Sequence, residues 1–220
     1  MRVVDRSRLI EILKSFYMHF LGVEKENSVL DLGCGDGLII HELLKIDDSI
    51  TSTLIDGSEH MLEKAKERLN GFEKTTFINM TFQELLRADR ADTHLGDFDL
   101  VFSSLAIHHL TMDEKRSLFD CIYSHLSEGG CFVNIDILLS PTEDLEGWYL
   151  DLWRDWMKKR QNELKLEGDY EYTIGKYMEV NHHDTLSTLG DQLNALTDIG
   201  FKEVDCYYKY GVFAMYGGRK

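Results

Sequence analysis

Apolar positions along the 220-residue chain recur in two alternating rhythms. Leu9, Ile10, Ile12, Leu13, Phe16, Tyr17 and Phe20 keep a helical period over residues 5–21 and stop at Gly22. Short apolar runs then read as strands at 28–32, 51–55, 76–79, 98–103 and 131–138. Helical segments separate them at 38–45, 61–69, 83–87 and 111–127. Ser58 is placed to cap the segment 61–69, and Thr111 with Glu114 forms a capping box. Ser140-Pro141-Thr142-Glu143 reads as a second box with proline at the first helical position, and Asp184 as the cap of a helix reaching Ile199-Gly200. Runs 201–208 and 212–216 close the chain as strands six and seven, too close together for an intervening helix, so the last is predicted antiparallel.

Strands alternating with helices predict an α/β, doubly wound, seven-stranded sheet, mostly parallel with the last strand antiparallel. The expected organisation is one domain over 1–220, with an N-terminal helix in 1–22 and a helical lid at 139–183, inserted after strand five.

Composition removes several partners. The 24 basic and 39 acidic residues give a net charge of −15, which repels nucleic acid, and Lys158-Lys159-Arg160 reads as a solvated helix face. The sequence shows no secretory apolar segment and no apolar run of about 18 residues, so no membrane is expected and the localisation reads as cytoplasmic. Cys34, Cys121, Cys131 and Cys206 lack ligand spacing and read as reduced thiols, and no metal site is expected. His182-His183-Asp184 looks like a ligand cluster on paper, but adjacent histidines splay apart and the acid suits a helix cap.

The chemistry concentrates in Val29-Leu-Asp-Leu-Gly-Cys-Gly-Asp-Gly37, a strand that breaks into a glycine turn and feeds a helix. Such a turn brings bare backbone amides and the positive end of a helix against a ligand. No lysine follows Gly37, which excludes the phosphate loop of nucleotide triphosphatases. The spacing Gly33-x-Gly35-x-Gly37 is not the dinucleotide fingerprint either. Asp31 before the turn and Asp36 inside it would repel a pyrophosphate and suit a phosphate-free cofactor with positive charge.

These residues resemble motif I of the class I S-adenosylmethionine-dependent methyltransferases, in their small-molecule branch. Leu54-Ile-Asp56-Gly-Ser58 with Met61-Leu resembles the second motif, and Phe98-Asp-Leu-Val-Phe-Ser-Ser104 with Ile107-His-His-Leu110 the fourth-strand motif. Leu126-Ser-Glu-Gly-Gly-Cys-Phe132 resembles the turn into strand five, and the tail from Gly200 resembles that branch as well. The resemblance implies a Rossmann-like fold that binds S-adenosyl-L-methionine and releases S-adenosyl-L-homocysteine. It implies that Gly33, Cys34, Gly35 and Gly37 pass close to the cofactor's methionine part and ribose, with Asp31 orienting the turn and the ammonium. Asp56 then accepts the two ribose hydroxyls, Gly57 and Ser58 adjoin the ribose, and Met61 packs on the adenine. The family often has an acid for the adenine amino group after strand three. Here Met80-Thr81-Phe82-Gln83 stands in its place, so Thr81, Phe82 and Gln83 are candidates, side chain or backbone. Ser103 and Ser104 open onto the cofactor from strand four.

Methyl transfer from a sulfonium needs alignment and exclusion of water, and a base only where the acceptor must lose a proton. His108 and His109, after strand four, are the candidate bases. The acceptor is expected to be a small molecule taking the methyl on oxygen or nitrogen. Tyr149, Trp153, Arg154 and Trp156 in the insertion, with Tyr170, Tyr172 and Tyr177, read either as a packed lid or as an acceptor wall. Arg154 reads either as a ligand for an acceptor carboxylate or phosphate or as half of a surface ion pair with Asp151 or Glu146. Tyr17 is a further candidate for the pocket's far side. The competing readings are a cofactor-binding regulatory module without turnover and a nicotinamide-dependent redox enzyme, which the glycine spacing disfavours.

Overall fold

In the computed structural model, which describes residues 4–88, 95–165, 172, 174–175 and 185–220, the first helix, α1, spans Arg6–Phe20. It leads into β1 (Ser28–Leu32), α2 (Leu38–Leu44), β2 (Thr51–Asp56), α3 (Glu59–Arg68), β3 (Thr75–Asn79), α4 (Phe82–Arg87) and β4 (Phe98–Ser104). A short 3-10 turn, Ile107–His109, precedes α5 (Met112–His125) and β5 (Leu126–Ile137). Then come α6 (Glu143–Leu164), α7 (Leu189–Ile199), β6 (Lys202–Tyr210) and β7 (Phe213–Arg219).

The strands pair in the order β3-β2-β1-β4-β5-β7-β6. β1 to β5 are mutually parallel, and β7 lies antiparallel between β5 and β6. The chain's direction across the sheet reverses between β1 and β4, and in such sheets the crevice beyond the strand ends at that point receives the ligand. Two apolar clusters sandwich the sheet. One joins α1, α2, α3 and α6 to Val29, Leu54, Leu100, Phe102 and Phe213. The other joins α4, α5 and α7 to Leu30, Leu32, Val101, Phe132 and Tyr216. Adjacent strand residues such as Val29 and Leu30 thus face opposite layers, as the pleat requires.

Of the boundaries that differ from the sequence reading, three have a clear local reason. Strand five begins at Leu126, five residues ahead of Cys131, and Leu126 pairs beside Phe98 before a register shift. Gly130 keeps this stretch in the sheet, because a Cβ there would stand 2.9 Å from the Ser127 carbonyl oxygen. The cap of α6 is Thr142, whose hydroxyl accepts the Leu145 N–H at 3.3 Å; extended backbone at Thr142 leaves Ser140 and Pro141 outside the helix. The cap of α7 is Thr188, which accepts from the Asp191 N–H at 3.1 Å; Asp184 lies outside the described residues.

The helix expected after strand five is present as α6. Leu150, Trp153 and Met157 are buried on the face of the sheet that α1 covers, while Trp148 is 55% exposed. Trp153 meets Phe213 of β7 edge-on at 5.0 Å, and Trp156 Nε1 donates to Asp5 Oδ1 at 3.0 Å. Among the described residues, no helix is long and apolar enough to cross a membrane.

Candidate active site

Every parallel strand of the central sheet points its C-terminal end at one edge, and the glycine turn after β1 lies there. Gly33 and Cys34 donate their N–H groups to the Ile55 carbonyl at 2.8 and 3.1 Å, which ties the turn to the end of β2. Gly33 is confined to glycine twice over: its φ is +69°, and a Cβ would come within 2.3 Å of the Ala106 Cβ. Asp56, last residue of β2, accepts the Gly35 N–H through Oδ2 and the Ser58 N–H through Oδ1, both at 2.8 Å. Each oxygen keeps a lone pair for a further donor such as a hydroxyl. Ser58 also caps α3, its hydroxyl 3.4 Å from the Met61 N–H, and the Met61 methyl lies over Gly35. Gly57 comes so close to Thr81 that a Cβ would stand 2.9 Å from its methyl, and Phe82 borders Gly33. Residues 31–37, 56–61, 81–82 and 106 therefore surround one crevice.

Its charge is set by Asp31. The side chain is 1% exposed and its Oδ2 has no hydrogen-bond partner. Burial, reinforced by the nearby Asp56 and Asp36 carboxylates, holds its pKa well above the usual range. A cationic ligand group would relieve both deficits, and backbone amides with paired acids suit the remainder of a phosphate-free nucleoside. The residues present therefore fit S-adenosylmethionine. Asp36 does not share this role: its Oδ2 receives Arg68 Nη2 at 2.6 Å, outside the crevice. Burial and the neighbouring Asp31 and Asp56 raise the Cys34 thiol pKa, which disfavours the thiolate.

Other expected side chains are committed elsewhere. Thr81 and Glu84 form a reciprocal capping box, so the Thr81 hydroxyl is used locally, and Gln83 Nε2 donates to Glu114 at 3.4 Å. In this structure the Thr81 and Gln83 side chains point their hydrogen bonds at protein. Ser103 is fully buried and donates to the Leu32 carbonyl at 2.7 Å, stapling β4 to β1. Ser104 is half-buried at the strand end, and Leu105 beyond it has a φ of +55°, a left-handed conformation unusual for a branched residue. The Leu105 N–H donates to the Ile135 carbonyl at 2.8 Å, which holds this bend beside β5.

The bend delivers His108 to Asp136, near the end of β5. Asp136 is 1% exposed; its Oδ1 lies 2.6 Å from His108 Nδ1, and its Oδ2 accepts the His108 N–H at 2.8 Å. With Nδ1 as donor, Nε2 is the basic nitrogen, and the His108 side chain is 14% exposed. His109 stacks against it, ring centroids 4.0 Å apart, and is itself exposed. Sequence reasoning missed Asp136; its only signal was an acid near the end of an otherwise apolar strand. It also missed a buried polar set behind β5. Lys115 is 1% exposed, its pKa lowered to about 8 by burial, and its ammonium donates to the Thr185 carbonyl and to Ser187 Oγ. Asn134, Tyr216 and Gln192 continue the set.

The acceptor-side expectations need correction. Tyr17 is fully buried, donates to Asp47 and accepts from Asn27 Nδ2 at 2.9 Å. Asn27 precedes β1 and Asp47 precedes β2, so Tyr17 serves the opposite edge of the sheet. Trp153 is 1% exposed within the core, and Trp156 is bound to Asp5 as described above. Arg154 Nη1 pairs with Asp151 at 2.8 Å. Tyr149 borders a cavity, together with Ser140, Gly190 and Lys209. Tyr170, Tyr177 and the His182–His183 pair lie outside the described residues.

Comparison with known proteins returns methyltransferases. A family profile described as a methyltransferase domain matches residues 30–132, from β1 into β5. A carboxy-S-adenosyl-L-methionine synthase of Nautilia profundicola is 24% identical over 209 residues, 94% of this chain and 80% of that protein. A malonyl-[acyl-carrier protein] O-methyltransferase of Ilyobacter polytropus is 29% identical over 109 residues, 50% of this chain and 37% of its own. Among solved structures, an O-methyltransferase family protein from Burkholderia thailandensis superposes with a TM-score of 0.64 at 15% identity, over 97% of this chain and 56% of that one. Human N-acetylserotonin methyltransferase in complex with S-adenosylmethionine gives 0.59 at 16% identity, over 97% and 55%. The chain thus spans little more than half the length of these two solved structures, and the likeness to them is one of fold.

Proposed function

We propose that this chain, which belongs to the class I S-adenosylmethionine-dependent methyltransferases, methylates an oxygen or nitrogen of a small-molecule acceptor. The cofactor, when bound, supplies a methyl group already activated on a sulfonium. In this reading Asp31 meets the ammonium, the turn at 33–37 lies along the methionine part and ribose, and Asp56 receives the ribose hydroxyls. Met61 and Phe82 flank the adenine. Leu105 and the turn 107–109 close the crevice toward the acceptor and limit water.

The observation that carries the acceptor chemistry is His108 held by Asp136 at 2.6 Å. A histidine whose Nδ1–H is fixed by a buried carboxylate offers Nε2 to a hydroxyl or amine proton as the new bond forms. The test is S-adenosylhomocysteine release over a panel of phenols, carboxylates and amines. With the best acceptor, His108→Asn is expected to lower kcat about 100-fold while the acceptor KM moves little. An unchanged kcat would remove His108 from the chemistry.

A second reading follows from the relatives named carboxy-S-adenosyl-L-methionine synthases, which match along nearly the whole chain. Under it the modified species is the cofactor. Mass spectrometry of the nucleoside product separates the two: S-adenosylhomocysteine supports methyl transfer, and a cofactor heavier by one carboxyl group supports the alternative.

A further inference from the structure

Beyond the cofactor crevice, on the same edge of the sheet, lies a cavity of about 250 Å³. Leu138, Leu139 and Ser140 leaving β5 form one wall, the start of α7 another, and Lys209 near the end of β6 with Gly211 and Val212 a third; Tyr149 of α6 completes it. We propose that this cavity is an acceptor subsite for a small molecule with an apolar body and one anionic group, a carboxylate or a phosphate ester. The proposal rests on small-molecule methyl transfer for the ligand's purpose, and on four local observations for the site.

Ser140 lines the cavity at 9% exposure, and its hydroxyl has no hydrogen-bond partner. A buried hydroxyl without a partner costs free energy unless a ligand supplies one. Its orphan state follows from the fold: the α6 cap passed to Thr142, which left the Ser140 side chain outside the helix. Opposite it stands the N-terminus of α7. Leu139 and Thr188 pair in a parallel bridge that engages the Leu189 amide, so the Gly190 amide is the first-turn donor without an intrahelical acceptor, and a Cβ at Gly190 would meet only the Thr188 hydroxyl, 3.8 Å away. Asp191 in the same first turn takes the Thr188 hydroxyl at 2.7 Å, so an anion here is held chiefly by Ser140, the Gly190 amide and Lys209.

Lys209 supplies the charge. Its ammonium sits 4.0 Å from the Tyr149 ring centroid and donates to the Gly211 carbonyl at 2.7 Å, and no described carboxylate pairs with it in a chain of net charge −15. One of its three N–H bonds is used by that carbonyl, leaving donors for an anion. Leu138, Leu139, Leu189 and Val212 give the rest of the cavity an apolar lining. Its volume suits a ligand body of about ten non-hydrogen atoms, below the range of drug-sized pockets. Leu138 is two residues past Asp136, so a ligand seated here extends from the edge where His108 stands.

The experiment uses the full chain saturated with S-adenosylhomocysteine and follows backbone amide resonances while 3-phenylpropionate, phenyl phosphate or the neutral 3-phenylpropionamide is added. The expected result is a saturable shift of Leu189, Gly190 and Gly211 with one or both anions, and about tenfold weaker binding of the amide. Whichever anion binds more tightly identifies carboxylate or phosphate as the recognised group. Lys209→Met is expected to weaken the anion about tenfold, and Ser140→Ala about threefold. Equal affinity for the neutral amide, no shift with either anion, or wild-type affinity in Lys209→Met would overturn the proposal. S-adenosylhomocysteine binding by each variant confirms its fold, and no readout depends on turnover, so failure of the subsite is distinct from failure of methyl transfer.

Discussion

Two carboxylates, Asp31 and Asp136, sit near the C-terminal ends of β1 and β5, each 1% exposed, and the fold treats them in opposite ways. Asp136 is provided for: His108 Nδ1, the His108 N–H and the Ile137 N–H all reach it, at 2.6, 2.8 and 2.9 Å. Asp31 keeps an oxygen with no partner and has two further acids nearby. A buried carboxylate that is satisfied by protein fixes the groups around it. One that is left short stores an electrostatic deficit that a cationic ligand removes. The β1 end is therefore built to receive something, and the β5 end to hold something still.

Removing each acid should move stability in opposite directions, the larger effect falling on Asp136. Asp136→Ala strands three donors and is expected to cost about 3 kcal/mol in urea unfolding. Asp136→Asn keeps the size and one acceptor, so it should recover part of that stability while kcat stays low, because an amide no longer fixes the His108 tautomer. Recovery of kcat along with stability would reduce Asp136 to a packing role.

Asp31→Asn is expected to stabilise the ligand-free protein by about 1 kcal/mol and to weaken S-adenosylhomocysteine about 30-fold, through loss of the ammonium's counter-charge. The pH dependence follows from the raised pKa. A raised acid binds a proton in the fold that the unfolded chain has released, so its stability deficit grows as pH rises above the ordinary carboxylate range. Asp31→Asn removes that slope, and the gap between variant and wild type should widen with pH. Ligand binding should conversely release up to about one proton, measurable by calorimetry in buffers of different ionisation heat. Proton release that persists in Asp31→Asn would assign it to another group.

The two ends were unequally legible in the sequence. The β1 end announces itself because a turn that admits backbone so closely needs glycines at fixed spacing, and Gly33 under Ala106 shows why. Asp56 was legible for the same reason, as an acid closing a strand before a helix cap. The β5 end depends on pairings across the fold: His108 and Asp136 are 28 residues apart, and Lys115 and Ser187 are 72 apart. No local period encodes such contacts. The aromatic content of α6 read equally as a packed lid or an acceptor wall, and the buried stripe runs through Leu150, Trp153 and Met157 because β7 and α1 offer apolar surface there. The doubly wound order and the antiparallel last strand followed from alternation and loop length alone. The Thr81–Glu84 capping box, which engages the Thr81 hydroxyl, went unread in the sequence.

The opposite edge of the sheet supplies the control. Tyr17 joins Asn27 and Asp47 in a buried network far along the strands from both acids. Tyr17→Phe deletes one hydroxyl, but Asp47 retains the Ser49 N–H and hydroxyl at 3.0 and 2.6 Å, and Asn27 Nδ2 retains the Gly22 carbonyl at 2.8 Å. With those bonds retained, the loss is expected to be about 1 kcal/mol in urea unfolding. S-adenosylhomocysteine affinity, kcat and acceptor KM should stay within about twofold of wild type, since additivity holds for distant sites with no shared partners. A rise in acceptor KM with unchanged cofactor affinity would mean that the two edges are coupled through α1 and α6, and the contrast between the acids would then belong to the whole sheet.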